Sequence, residues 1–147
     1  MKKNLLILSM ALFSLPIFSQ SSSDDTVYRR ADVMPVFQQC QLDGFENNPY
    51  SCTITQLSNY FLENVQIDNP TGNTSKGVLS FIVETDGSIS DINLVRSVYL
   101  NPENSQLQSE LDSKILELAN SISFLSPGMN GDELVRIKVQ FSVPVNY

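Results

Sequence analysis

GVLSFIVETDGSISDINLV, residues 77–95, decides the fold. Successive side chains of a strand point to opposite faces, so Leu79, Phe81 and Val83 share one face while Val78, Ser80 and Ile82 share the other. Thr85-Asp86-Gly87-Ser88 then interrupts the apolar run. Asp-Gly between two such runs is a strong hairpin signal, because glycine enters positive φ at no steric cost. The chain returns through Ile89, Ile92 and Leu94. The stretch predicts a β-hairpin with strands over 77–84 and 89–95.

Downstream, Ser105 and Gln108 have the spacing of a capping box. Leu107, Leu111, Ile115, Leu118, Ala119 and Ile122 recur at helical spacing, which predicts a helix lying across one face of the sheet. Phe124 is expected to anchor the chain as it leaves that helix. Pro127-Gly128 and Asn130-Gly131 are turn signals. Residues 134–143 read as the last strand, with Val135, Ile137, Val139, Phe141 and Val143 alternating with mostly polar residues, and Val145 continues the alternation. Pro144 lacks a backbone donor and suits a strand end or a sheet edge.

Upstream, Thr53 and Gln56 read as the capping box of a helix over 53–64, with Leu57, Tyr60 and Phe61 as its apolar stripe. Residues 68–75, with Pro70 and Gly72, read as a loop, and Asn101-Pro102 punctuate another. Met34-Pro35-Val36-Phe37 is extended, because the residue before a proline avoids helical angles; it is a short first strand or a packed arm. The expected class is α+β: a two-layer sandwich in which a three-stranded antiparallel sheet is packed by two helices.

Residues 1–19 read as a signal peptide. Lys2 and Lys3 are the basic start, Leu5 opens an apolar run through Phe18, and small Ser19 closes it. The apolar run falls short of the roughly 20 residues of a membrane span. An uncleaved anchor is the alternative. Residues 20–34 are expected to form a flexible lead, with the Ser- and Asp-rich 20–26 disordered, and 35–147 the folded domain.

The net charge is −7, and loss of Lys2 and Lys3 with the leader makes it −9. Phosphate backbones and anionic membranes call for clustered cations, whereas here Arg29-Arg30 is the one pair outside the leader and sits near Asp24, Asp25 and Asp32. Nucleic acid is therefore not an expected partner. Cys40 and Cys52 both lie in the exported part. An oxidising compartment favours a disulfide between them; two small buried hydrophobes are the other reading.

The chain has no histidine, which excludes imidazole zinc sites, His-based triads and a Cys–His nucleophile pair. It has no Gly-x-Ser-x-Gly elbow and no Gly-rich phosphate loop in a strand-to-helix context. Glu84, Asp86 and Asp91 fall short of a calcium loop, which needs more oxygen ligands at fixed spacing. The reading is of a protein without catalytic residues, metal or cofactor.

Several of these segments together resemble the C-terminal domain of the TonB energy-transducer family. They are 77–83 followed by Asp86-Gly87-Ser88-Ile89; the helix centred on Leu111; 124–127 with Asn130-Gly131; and the closing strand with Pro144. Met34-Pro35-Val36-Phe37 with Cys40, then Cys52 leading into the first helix, is similar to variants seen in Bacteroidota. The resemblance covers about 35–147. It departs from the family in lacking a Pro-rich spacer, in carrying a cleavable-type leader, and in having Ile67-Asp68-Asn69-Pro70 where the family has Tyr-Pro-x-x-Ala.

The resemblance implies a periplasmic, non-catalytic domain whose last strand accepts an extended peptide by strand addition. It implies as partner the N-terminal segment of an outer-membrane TonB-dependent receptor. The expected partner-binding residues are Arg136, Lys138, Gln140, Phe141 and Ser142, with Arg136 and Lys138 as the polar contacts on the non-core face. The alternative is a cell-envelope accessory or structural module without receptor coupling, a homodimer through the same edge being one form of it.

Overall fold

The computed structural model describes residues 25–41, 49–66, 73–74, 76–100 and 105–144. The leader, residues 20–24, the turn-rich 42–48, most of the expected loop over 68–75, Asn101-Pro102 and Val145 lie outside the described residues.

The α+β expectation holds, with two helices and several strands, but the sheet is larger and mixed. Strands β4 (Gly77–Val83), β5 (Ile89–Arg96) and β9 (Glu133–Val143) form the expected antiparallel trio, in spatial order β5-β4-β9. Two further strands pair with β9, of which the first lies on the side away from β4. One is β1 (Val27–Tyr28), parallel, with Val27 opposite Arg136 and Tyr28 opposite Ile137. The other is β8 (Gly128–Asn130), antiparallel, with Gly128 opposite Val135 and Asn130 opposite Glu133. The three-stranded antiparallel sheet is thereby corrected to a five-stranded mixed one.

Two small sheets flank it. β2 (Val36–Phe37) pairs with β7 (Phe124–Ser126), and β3 (Asn73–Thr74) pairs with β6 (Tyr99–Leu100). β3 corrects the loop expected over 68–75, which contains these two strand residues.

The hairpin closes as its turn residues dictate. The Gly87 amide donates to the Glu84 carbonyl at 3.0 Å and the Glu84 amide to the Ser88 carbonyl at 2.8 Å, with Gly87 at φ 83°. The Asp86 carboxylate accepts from the Ser88 amide at 2.9 Å, the local bond that suits aspartate to turns. Phe124 donates its amide to the Gly87 carbonyl at 2.9 Å and stacks against Phe37 and Phe81. It anchors the chain between helix and sheet, as expected.

Helix α1 (Pro49–Asn64) starts four residues before the position expected from Thr53. Proline is favoured at a first helical position, where its missing donor costs nothing. Thr53 is therefore inside the helix and caps nothing; it is fully buried and bonded to another segment. Helix α2 (Ser105–Asn120) buries Leu111, Ile115 and Ala119, as its stripe predicts.

One core joins these elements. Leu79, Phe81 and Val83 of β4 and Val135, Ile137, Val139, Phe141 and Val143 of β9 face Leu57 and Phe61 of α1 and Ile115 of α2. The even-numbered positions of β9 point the other way, to a face lined by Arg136, Lys138, Gln140 and Ser142, with Gln140 opposite Ser80 and Lys138 opposite Ile82. Apolar-in, polar-out alternation is what an antiparallel sheet with one wet face requires.

The N-terminal segment is part of this unit. After β1, Val33 exchanges both backbone bonds with Met129 at 2.9 and 3.0 Å. The Asp32 amide donates to Asn130 Oδ1 at 3.0 Å, while its Oδ2 accepts from the Gly131 amide at 2.9 Å. Val27, Tyr28 and Val33, expected within a flexible lead, thus pair with strands of the sheet. The arm then enters a 3-10 turn (Gln38–Gln41), and Cys40 is disulfide-bonded to Cys52, with Cα atoms 5.8 Å apart.

Candidate functional site

Backbone direction along β9 sets what its outer edge offers. Met129 spends both backbone groups on Val33, so its neighbours Gly128 and Asn130 turn theirs toward Val135 and Glu133. Gly131, at φ 58°, and Asp132 form the two-residue loop between those strands. Just past β4, Glu84 spends both backbone groups on the β5 side, so Gly77, Leu79, Phe81 and Val83 turn theirs to β9. Their partners Ile137, Val139, Phe141 and Val143 turn theirs to β4, which leaves the N–H and C=O groups of Arg136, Lys138, Gln140 and Ser142 directed to the outer side. β1 lies beside the first of these. Among the described residues, no strand pairs with β9 on that side beyond Ile137. The open edge is therefore 139–143, with the backbone groups of Gln140 and Ser142 facing outward, shorter than the expected 136–143 because β1 occupies its start.

The five residues expected at the partner surface have different situations. Arg136 is engaged: its Nε donates to Glu84 Oε2 at 2.7 Å, its Nη2 to Glu84 Oε1 at 3.0 Å and its Nη1 to the Asp25 carbonyl at 3.2 Å. That two-pronged pair holds the Glu84 carboxyl below the usual carboxylate range, with a further bond from Ser90. Arg136 is a structural cation of the outer face rather than a free contact. Phe141 is buried, its ring 5.5 Å from Phe61 and 6.3 Å from Phe81, and its backbone pairs with Leu79 of β4. Lys138, Gln140 and Ser142 reach the wet face, and Lys138 Nζ lies 3.8 Å from Asp91 Oδ2.

The three carboxylates weighed as a metal set are separately committed: Glu84 to Arg136, Asp86 to Ser88, Asp91 to Lys138. Asp91 itself sits at a bulge of β5 with φ 47°, a common way to spoil the second edge of a sheet for pairing.

At the point where β1 ends and the open edge begins lies a shallow pocket of about 180 Å³ lined by Arg29, Tyr50, Lys138 and Gln140. Partial burial raises the Tyr50 phenol above its ordinary value, so it stays protonated at neutral pH and both donates and accepts. Arg29 and Tyr50 are missing from the sequence-based set. No local pattern connects them to Lys138; the parallel pairing of β1 and the early start of α1 bring them there.

No helix among the described residues is long and apolar enough to cross a membrane. No family model, curated protein or solved structure matches the chain.

Proposed function

We propose that this chain is a non-catalytic, exported protein-binding domain of TonB C-terminal type that takes up an extended peptide by strand addition along 139–143. The observation that supports the reading is the run of backbone donors and acceptors on the outer side of β9, which no described strand pairs. Main-chain bonds would supply affinity there and the alternating side chains Lys138, Gln140 and Ser142 selectivity. The Cys40–Cys52 bond fits an oxidising compartment such as the periplasm. An outer-membrane receptor's N-terminal segment is the partner in this reading.

Titration of the labelled protein with such receptor segments tests it. The amides of Gln140 and Ser142, which face the open edge, shift on binding, while those of Ser80 and Ile82 on the far side of the ladder move little. If no segment moves the Gln140 and Ser142 amides, the reading fails. Concentration-dependent dimerisation through the same amides, without peptide, would favour the structural module instead.

A further inference from the structure

The open edge of β9 has a defined beginning. β1 runs parallel to β9 and reaches Ile137 through Tyr28; Arg29 follows and lines the pocket with Lys138, Gln140 and Tyr50. A strand added along 139–143 would collide with β1 if it continued past this point. The end of any added strand must therefore lie at the pocket.

The pocket's chemistry is cationic within an acidic protein of net charge −7. Arg29 has no ion-pair partner among the described residues, and Lys138 shares only the longer 3.8 Å contact with Asp91. Tyr50 and Gln140 add a neutral donor each. Among the described residues, no carboxylate lines the pocket. Two cations and two neutral donors around a small open cavity suit a carboxylate, which accepts several charge-assisted hydrogen bonds at once.

We propose that the edge of β9 selects a short strand bearing a carboxylate at the end that abuts β1, held by Arg29, Lys138, Tyr50 and Gln140. This rests on the strand-addition reading and adds the anchor chemistry to it. Local charge here opposes the protein's net charge: the acidic body as a whole favours basic partners, whereas the anchoring pocket favours an acidic group. The carboxylate belongs either to an Asp or Glu side chain or to a peptide C-terminus.

Synthetic peptides of about six residues, each spanning roughly 20 Å when extended, on an alternating Thr–Val background provide the probes. One series carries Glu at the first position, one at the last, one none; each is made with a free and with an amidated C-terminus. All are titrated against the disulfide-bonded protein, reading the Gln140 and Ser142 amides. A peptide with a carboxylate at one particular end binds about tenfold more tightly than the neutral peptide. Free against amidated ends tells a terminal carboxylate from a side chain. Arg29→Gln and Lys138→Gln each remove most of that preference, while Arg30→Gln, beside the pocket but not lining it, retains it. Equal binding of acidic and neutral peptides overturns the carboxylate anchor and leaves strand addition standing. Failure of every peptide, neutral ones included, to move the two amides overturns both.

Discussion

The Thr53 hydroxyl accepts a hydrogen bond from the Phe37 amide at 3.0 Å and returns one to the Pro35 carbonyl at 3.2 Å. A buried side chain in the first part of α1 thereby supplies both bonds that a neighbouring strand would give the arm. Removing it strands two backbone groups away from water. Thr53→Val, nearly isosteric, lowers unfolding free energy by about 1–3 kcal/mol, measured by denaturant titration at neutral pH. Thr53→Ser keeps the hydroxyl and loses less. Equal stability of the Val variant and the parent would show that the two bonds contribute nothing net.

The Cys40–Cys52 bond closes a loop with a sequence separation of 12. On the chain-entropy estimate its loss costs about 3 kcal/mol. The reduced protein has a lower denaturation midpoint than the oxidised one. The double variant Cys40→Ala, Cys52→Ala, insensitive to reductant, unfolds near the reduced parent's midpoint.

Glu84 gives the fold a defined acid response. Arg136 lowers the folded-state pKa of its carboxyl, so the folded chain binds that proton less readily than the unfolded one. The stabilising contribution is complete above the unfolded value of about 4.3. It is lost as pH falls through the lowered folded value. Urea midpoints of the parent therefore fall between neutral pH and about pH 3 more steeply than those of Glu84→Gln. Parallel pH curves for the two proteins would count against the pair as a source of acid sensitivity.

Gly87 and Gly131 separate two costs of replacing a turn glycine. Both have positive φ, 83° and 58°. A Cβ at Gly87 would meet the Phe124 carbonyl oxygen at 2.7 Å, whereas one at Gly131 meets nothing within 4 Å. Gly131→Ala costs roughly 1 kcal/mol for the left-handed backbone alone. Gly87→Ala costs more, because the Phe124 carbonyl must also shift. Melting temperatures of the two variants rank accordingly, with Gly87→Ala the lower.

The parts of the fold written in local periodicity were legible. Residues 77–83, the Asp86-Gly87 turn and the Leu111-Ile115-Ala119 stripe each carry their own pattern, and each lies where that pattern puts it. What escaped is short and long-range. Val27–Tyr28 is too brief to show alternation, so its pairing with β9 left no mark in the sequence. Pro49 as a helix start was a readable signal, overshadowed by the apparent cap at Thr53. The same holds for the site. The alternation of Lys138, Gln140 and Ser142 on one face follows from period two, while the commitment of Arg136 to Glu84 depends on β4 and β9 lying side by side.

The parallel run of β1 beside β9 has a mechanical consequence. Tension applied between the start of β1 and the end of β9 drags the two strands past one another along their length. Their bonds are loaded together in shear instead of being unzipped singly. Once β1 and the arm give way, the pull reaches Cys40 and passes through sulfur to Cys52 within α1. The residues between those cysteines are bypassed. An oxidised chain stretched by its ends thus yields less extension than a reduced one by the length of that bypassed loop.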